Sequence, residues 1–85
     1  MRLLILDFSL AFTEVKEIGS PSKIKYRYHY MTKAKKLIFR YDNAKHYPNL
    51  STFPHHKHLP NKVIESEALT IEDVLDEIQS YILKK

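Results

Sequence analysis

The chain has no cysteine and no tryptophan, and its 85 residues include one glycine and four prolines. The absence of cysteine excludes disulfide bonds, thiol catalysis and zinc sites with cysteine ligands, and nothing calls for an oxidising compartment. The single glycine, Gly19, is followed by Ser20, Pro21 and Ser22. This composition is typical of a turn between two regular elements.

A long hydrophobic run is also lacking. The apolar opening segment MRLLILDFSLAFTEV is interrupted by Arg2, Asp7 and Glu14, so it falls short of the roughly 20 apolar residues that a membrane-spanning helix needs. No small-residue cleavage site follows a clean apolar core, which argues against a signal peptide. We therefore expect a cytoplasmic protein without a membrane partner.

The composition is that of one small globular domain. Hydrophobic residues make up 44% of the chain and aromatic residues 12%, which is too apolar for a disordered segment. A chain of 85 residues builds only a small core. We expect one domain over residues 1–85, and a homodimer formed through free sheet edges or a helix.

Acidic residues are scarce in most of the chain. Residues 1–62 contain 12 Lys+Arg against 4 Asp+Glu, whereas residues 63–85 contain 2 against 6. A basic body with an acidic tail indicates a surface that faces a polyanion on the first part only. The alternative is that the lysines serve solubility.

Alternating apolar residues predict three strands, over residues 4–12, 24–30 and 37–42. The connections between them are short and polar, so these strands form an antiparallel meander. Residues 43–60 read as a long irregular loop with a short extended piece at 53–59, and residues 63–67 as an edge strand.

A helix is predicted at the end of the chain. Thr70 is a suitable N-cap, Glu72 and Asp73 suit the first turn, and Lys84 and Lys85 close the segment. Its apolar residues recur at helical spacing, so one of its faces packs on the sheet. The predicted fold is α+β: a small antiparallel meander of three to four strands with one C-terminal helix on one face.

Strand alternation separates two faces of this sheet. If the helix covers the aromatic side chains, the opposite face is basic and carries one imidazole; it consists of Lys25, Arg27, His29, Arg40 and Asp42. An ordinary solvated face is the alternative interpretation. The loop leaves the strand that carries Arg40 and Asp42, so we expect the loop and this face to be neighbours.

The segment FPHHKH and the preceding His46 place four histidines within thirteen positions. Imidazole both takes and gives a proton near neutral pH. Cleavage of RNA by its own 2′-hydroxyl needs a base, an acid and cations for the phosphorane charge. Two of these histidines, with Arg40 and Lys57 at the phosphate and Asp42 orienting an imidazole, could supply them without a metal. Tyr41 or Tyr47 could stack a base.

Metal binding is a second interpretation of the histidines. In an extended segment His56 and His58 share one face and His55 takes the other, so His46 or Asp42 would have to complete a ligand set. The spacing matches no familiar zinc motif, and we predict no cofactor. A third interpretation is a polar loop whose histidines satisfy backbone groups.

The run RYDNAKHYPNLSTFPHHKHL, preceded by an aromatic strand and followed by VIESE and a helix, resembles the TumE-type toxins of bacterial and archaeal toxin–antitoxin loci. The resemblance covers most of the chain from Ile24 onward. It implies a growth-inhibiting toxin, a cognate antitoxin that is commonly a DNA-binding protein of helix-turn-helix type, and an activity on RNA. The matched positions are Arg40, Asp42, Asn43, His55, His56 and His58.

We therefore interpret the chain as a single TumE-like domain that cleaves or binds RNA. The expected catalytic residues are His55, His56, His58 and Asp42. The expected nucleic-acid-binding residues are Arg27, Arg40, Lys57 and Asn43. The expected ligands, if a metal binds at all, are His46, His56 and His58. The rivals are a non-catalytic module that binds an antitoxin or nucleic acid, and a histidine-rich metal-binding protein; the ribonuclease activity itself is left open.

Overall fold

A computed structural model of the chain describes residues 2–5, 8–19 and 23–83. The described part forms one antiparallel sheet of six strands that neighbour one another in chain order, followed by one helix. The strands are β1 (Arg2–Ile5), β2 (Phe8–Lys16), β3 (Lys23–Thr32), β4 (Leu37–Asp42), β5 (His56–Leu59) and β6 (Lys62–Glu65), and the helix is α1 (Ile71–Leu83).

The predicted α+β class, the meander and the C-terminal helix are confirmed, but the sheet has six strands rather than three to four. The predicted strand over residues 4–12 is two strands, because the chain reverses and Ile5 pairs with Phe8. The segment LDF has no glycine, proline or asparagine, and Asp7 is its one residue of a type common in turns. Leu6, Asp7, residues 20–22, Lys84 and Lys85, which entered the sequence predictions, lie outside the described residues.

Helix α1 covers one face of the sheet, which we call the helix face. The core on this face is aromatic on the strand side and aliphatic on the helix side; it comprises Leu10, Tyr26, Tyr28, Tyr30, Phe39, Tyr41, Val74 and Ile78. The prediction of an aromatic face under the helix is therefore confirmed. In the described part of the chain, no helix combines the length and apolar character needed to cross a membrane.

The helix begins where the sequence predicts. Asp73 N donates to Thr70 Oγ1 at 3.2 Å, and Thr70 N donates to Asp73 Oδ2 at 3.0 Å. These reciprocal bonds satisfy amide groups that the first turn of a helix leaves without partners. They set the point from which α1 crosses the sheet.

The loop between β4 and β5 is held at both ends. At its start, Asn43 Oδ1 accepts a hydrogen bond from Tyr26 N at 3.0 Å. At its end, Thr52 Oγ1 accepts from Ser66 N at 3.0 Å and donates to His55 O at 2.7 Å. This connection is irregular, as predicted, and the extended piece predicted near its end corresponds to β5. These anchors bring the histidine segment back alongside β4.

Candidate functional site

The sheet register brings two rows of polar side chains together on the face away from α1, which we call the polar face. One row runs from Arg27 through Asp42 to His56, and the other from His29 through Arg40 to His58. Directly paired residues in adjacent antiparallel strands project to the same side. The predicted basic face is thus real, and β5 adds two imidazoles to it.

Asp42 is at the centre of a hydrogen-bonded network, and 7% of its surface is exposed. Its Oδ1 lies 2.8 Å from His56 Nε2 and accepts from Ala44 N at 3.0 Å. Its Oδ2 accepts from Arg40 Nε at 3.1 Å. Such a carboxylate is held in one orientation, because each of its oxygens has a donor.

His56 is the most enclosed member of the network, with 1% of its surface exposed. Its Nδ1 lies 2.8 Å from Pro54 O, and a carbonyl oxygen only accepts, so Nδ1 carries a proton. Its Nε2 lies 2.8 Å from Asp42 Oδ1, a contact that becomes an ion pair when the imidazole is protonated. Contacts at both ring nitrogens hold the His56 imidazole in one orientation.

His58 is the second imidazole of the network. Its Nε2 lies 3.1 Å from Arg40 Nη2, and since a guanidinium only donates, His58 Nε2 accepts that bond. His56 Nε2 lies at the same distance from His58 Nε2. Burial lowers the pKa of His58, and the positive charge of Arg40 lowers it further, against an opposing contribution from Asp42. The Tyr47 ring packs edge-on against the imidazoles of His56 and His58, with centroids 4.8 and 5.6 Å away.

A cleft of about 330 Å³ opens beside this network. Its lining combines cations with imidazoles and amides; it consists of Lys25, Tyr26, Arg27, Arg40, Asp42, Asn43, Ala44, His46 and His58. Three cationic side chains around one cleft favour an anionic ligand. His46 and His58 are the two histidines that line it.

A second cleft, of about 300 Å³, adjoins the first, since Arg27 lines both. It is otherwise lined by Ala11, Phe12, Thr13 and His29. The buried Nε2 of His29 has no hydrogen-bond partner among the described residues. Burial lowers the pKa of His29, and the charges of Arg40 and Arg27 lower it further.

Two residues of the predicted site lie elsewhere. Lys57 projects to the helix face, where its Nζ donates to Glu77 Oε2 at 2.7 Å and lies 4.9 Å from the centre of the Tyr41 ring. His55 Nδ1 lies 2.8 Å from Tyr26 OH, and the two rings stack. Because successive residues of a strand point to opposite faces, Lys57 is separated from the imidazoles on either side of it along β5.

The remaining predicted residues converge. Asp42, His56, His58, Arg40, Arg27 and Asn43 all lie in the network or line the first cleft. The Asn43 Oδ1 also fixes the loop to β3. Sequence reasoning placed Lys25 on this face but not in the site, and it gave Tyr47 a stacking role on a base rather than on imidazoles. The folded sheet and loop bring both residues to the site.

The network could also hold a metal ion. One ligand atom from each of Asp42, His56 and His58 lies within 4.8 Å of the others. The sequence left His46 or Asp42 to complete a ligand set with His56 and His58, and the group found in the structure contains Asp42. His46 instead lies at the cleft, with its ring 6.4 Å from that of Tyr47.

The fold and the site define a small α+β protein with a basic, histidine-bearing face. The family model described as toxin TumE matches residues 2–82. The chain belongs to the TumE toxin family, and the match includes the β1–β2 hairpin, which the sequence motif did not cover. No curated protein and no solved structure matches the chain. Membership makes the protein the toxin of a toxin–antitoxin pair, with a cognate antitoxin as its partner.

Proposed function

We propose that this toxin cleaves RNA at the cleft beside the Asp42–His56–His58 network, without a metal. One observation carries the proposal: two histidines, His46 and His58, line a single cleft together with Lys25, Arg27 and Arg40. Cations around a cleft suit a phosphodiester, and a pair of imidazoles suits proton transfer on both sides of it.

The reaction needs no further reactant. The 2′-oxygen of a ribose attacks the neighbouring phosphorus while one imidazole takes the hydroxyl proton. The bond between phosphorus and the 5′-oxygen breaks, and the other imidazole protonates the leaving oxygen. The products are a 2′,3′-cyclic phosphate and a 5′-hydroxyl end. The guanidinium groups of Arg27 and Arg40 stabilise the negative charge that develops on the phosphorane.

The buried members of the network position His58. Arg40 Nη2 donates to His58 Nε2 at 3.1 Å, and His56 Nε2 contacts the same atom at 3.1 Å, so the His58 ring is held at the cleft. Asp42 in turn holds Arg40 and His56. We assign His56 and Asp42 as positioning residues, because His56 is enclosed away from solvent. His55 and Lys57, on the other side of the sheet, have no part in this assignment.

The decisive experiment compares the wild-type protein with His58→Gln and His46→Gln on an RNA oligonucleotide in the presence of EDTA. Either substitution should reduce cleavage by roughly 100-fold or more, the usual contribution of an acid or base. The control is Lys33→Gln, an exposed cation in the turn between β3 and β4, which should cleave like the wild type. Wild-type protein that binds RNA but leaves it intact would favour the non-catalytic module instead.

A modified substrate assigns the two roles. A sulfur atom in place of the 5′-bridging oxygen leaves without protonation, so loss of the general acid no longer slows the reaction. The histidine whose variant recovers on this substrate is the acid, and the other is the base. If both variants stay equally slow, neither histidine serves as the acid.

The partner and the assembly are proposals as well. We propose that the antitoxin is a DNA-binding protein of helix-turn-helix type, and that the toxin forms a homodimer. The support for the dimer is that β1 and β6 end the sheet on its two sides, and unpaired strand edges favour association. A clean monomer in sedimentation at micromolar concentration would contradict the dimer.

A further inference from the structure

The Nε2 atoms of His56 and His58 and the two carboxylate oxygens of Asp42 lie close together in the network. His56 Nε2 lies 2.8 Å from Asp42 Oδ1 and 3.1 Å from His58 Nε2, and His58 Nε2 lies 3.5 Å from Asp42 Oδ2. Ligands placed tetrahedrally at about 2.0–2.1 Å from a zinc ion lie about 3.3 Å apart. We propose that Asp42, His56 and His58 bind one divalent transition-metal ion of the zinc class.

The donor set selects the kind of ion. Two imidazole nitrogens and one carboxylate suit zinc, cobalt, nickel, copper or ferrous iron. Magnesium and calcium take oxygen ligands almost alone. An ion would replace the hydrogen bonds that join these side chains in the metal-free form.

The surroundings already orient the three ligands. Pro54 O faces the other ring nitrogen of His56 at 2.8 Å, the usual outer-shell partner of a metal-binding histidine. Ala44 N donates to Asp42 Oδ1 at 3.0 Å. The Tyr47 ring covers both imidazoles. His58 lines the cleft, which gives an ion a path in and leaves room for a fourth ligand such as water.

Arg40 opposes the ion, and this makes the proposal sharply testable. Its Nη2 donates to His58 Nε2, the same lone pair that an ion would take, and its positive charge repels a cation. The Arg40 side chain is 25% exposed and lines the cleft, so it has space to withdraw. Removing its charge should therefore strengthen metal binding, whereas a purely structural loss would weaken it.

Metal binding also carries a regulatory consequence, and this part rests on the proposed function. An ion bound to His58 takes the imidazole out of proton transfer. RNA cleavage by the metal-free toxin should then fall as zinc is added and return when a chelator removes it. A bound ion would therefore inhibit the toxin by occupying a residue that takes part in cleavage.

The test is a cobalt titration of the full-length, chelator-stripped protein, followed by the visible absorption of tetrahedral Co²⁺, with Zn²⁺ as competitor. We expect one ion per chain, displaced by zinc. His58→Gln should weaken binding roughly tenfold or more, and Arg40→Gln should tighten it. His55→Gln, a histidine on the helix face, is the matched control and should bind cobalt like the wild type.

The proposal fails if no absorption band develops, or if His58→Gln binds cobalt as the wild type does. It also fails if Arg40→Gln, folded by circular dichroism, binds more weakly. Cleavage assays of the stripped and zinc-loaded wild-type protein separate the two proposals. If only the zinc-loaded protein cleaves RNA, the ion site is supported and the metal-free reaction is contradicted. If the protein cleaves RNA but binds no cobalt, the metal-free reaction is supported and the ion site is contradicted.

Discussion

Lys57 and His58 are consecutive in the chain, yet they serve opposite faces of the sheet. Lys57 Nζ bonds Glu77 on α1 at 2.7 Å, whereas His58 Nε2 bonds Arg40 on the polar face at 3.1 Å. Strand β5 therefore ties the helix to the sheet with one residue and completes the candidate site with the next. The two roles can be separated by mutation.

Lys57→Met should destabilise the protein without affecting RNA cleavage. The substitution removes one of two side-chain donors to a half-buried Glu77, the other being Tyr41 OH, and the cation over the Tyr41 ring. We therefore expect a loss of about 1–2 kcal/mol in the free energy of unfolding. Urea denaturation measures it. Lys62→Met, an exposed lysine at the start of β6, should change stability by less than about 0.5 kcal/mol. Loss of cleavage by folded Lys57→Met would place Lys57 in the site after all.

Arg27→Gln should weaken RNA binding and make it less dependent on salt. Arg27 lines both clefts, so it is placed to contact a phosphate whichever cleft the backbone follows. Removing one phosphate contact reduces the slope of log affinity against log salt concentration by about 1. Fluorescence anisotropy over a range of salt concentrations measures the slope. Lys36→Gln, an exposed cation in the β3–β4 turn, should leave that slope as it is, and equal slopes for both variants would remove Arg27 from the interface.

His29→Gln should make stability less sensitive to acid. Burial and the charges of Arg40 on β4 and Arg27 on its own strand lower the pKa of His29 in the folded protein. The folded state then binds fewer protons than the unfolded state, so stability is highest above the unfolded pKa of about 6.5 and falls as pH drops through that value. Denaturation from about pH 7.5 to about pH 5.5 should show a shallower decline for His29→Gln. Thr13→Val, in the same cleft but not titratable, should decline like the wild type.

Most of the fold could be predicted because its strands and its helix follow from short sequence patterns. The aromatic alternation of residues 24–30 and the N-cap at Thr70 each depend on neighbours within a few positions. The reversal between β1 and β2 escaped prediction because the apolar alternation of residues 4–12 runs through it and Asp7 is the one turn-type residue there. The strand count was too low because of this missed reversal and because β5 lies in the segment predicted as a loop.

The sequence by itself determined the α+β fold class, the basic face and the presence of an RYDN block with clustered histidines, since these follow from composition, period and order. Only the tertiary structure decided which histidines lie together. The pairing of Asp42 with His56 and of Arg40 with His58 is a matter of register, and in a strand every other side chain turns away. That alternation points Lys57 to the helix face, and His55, just before β5, stacks on Tyr26, although both are at least as close in sequence to His56 as His58 is.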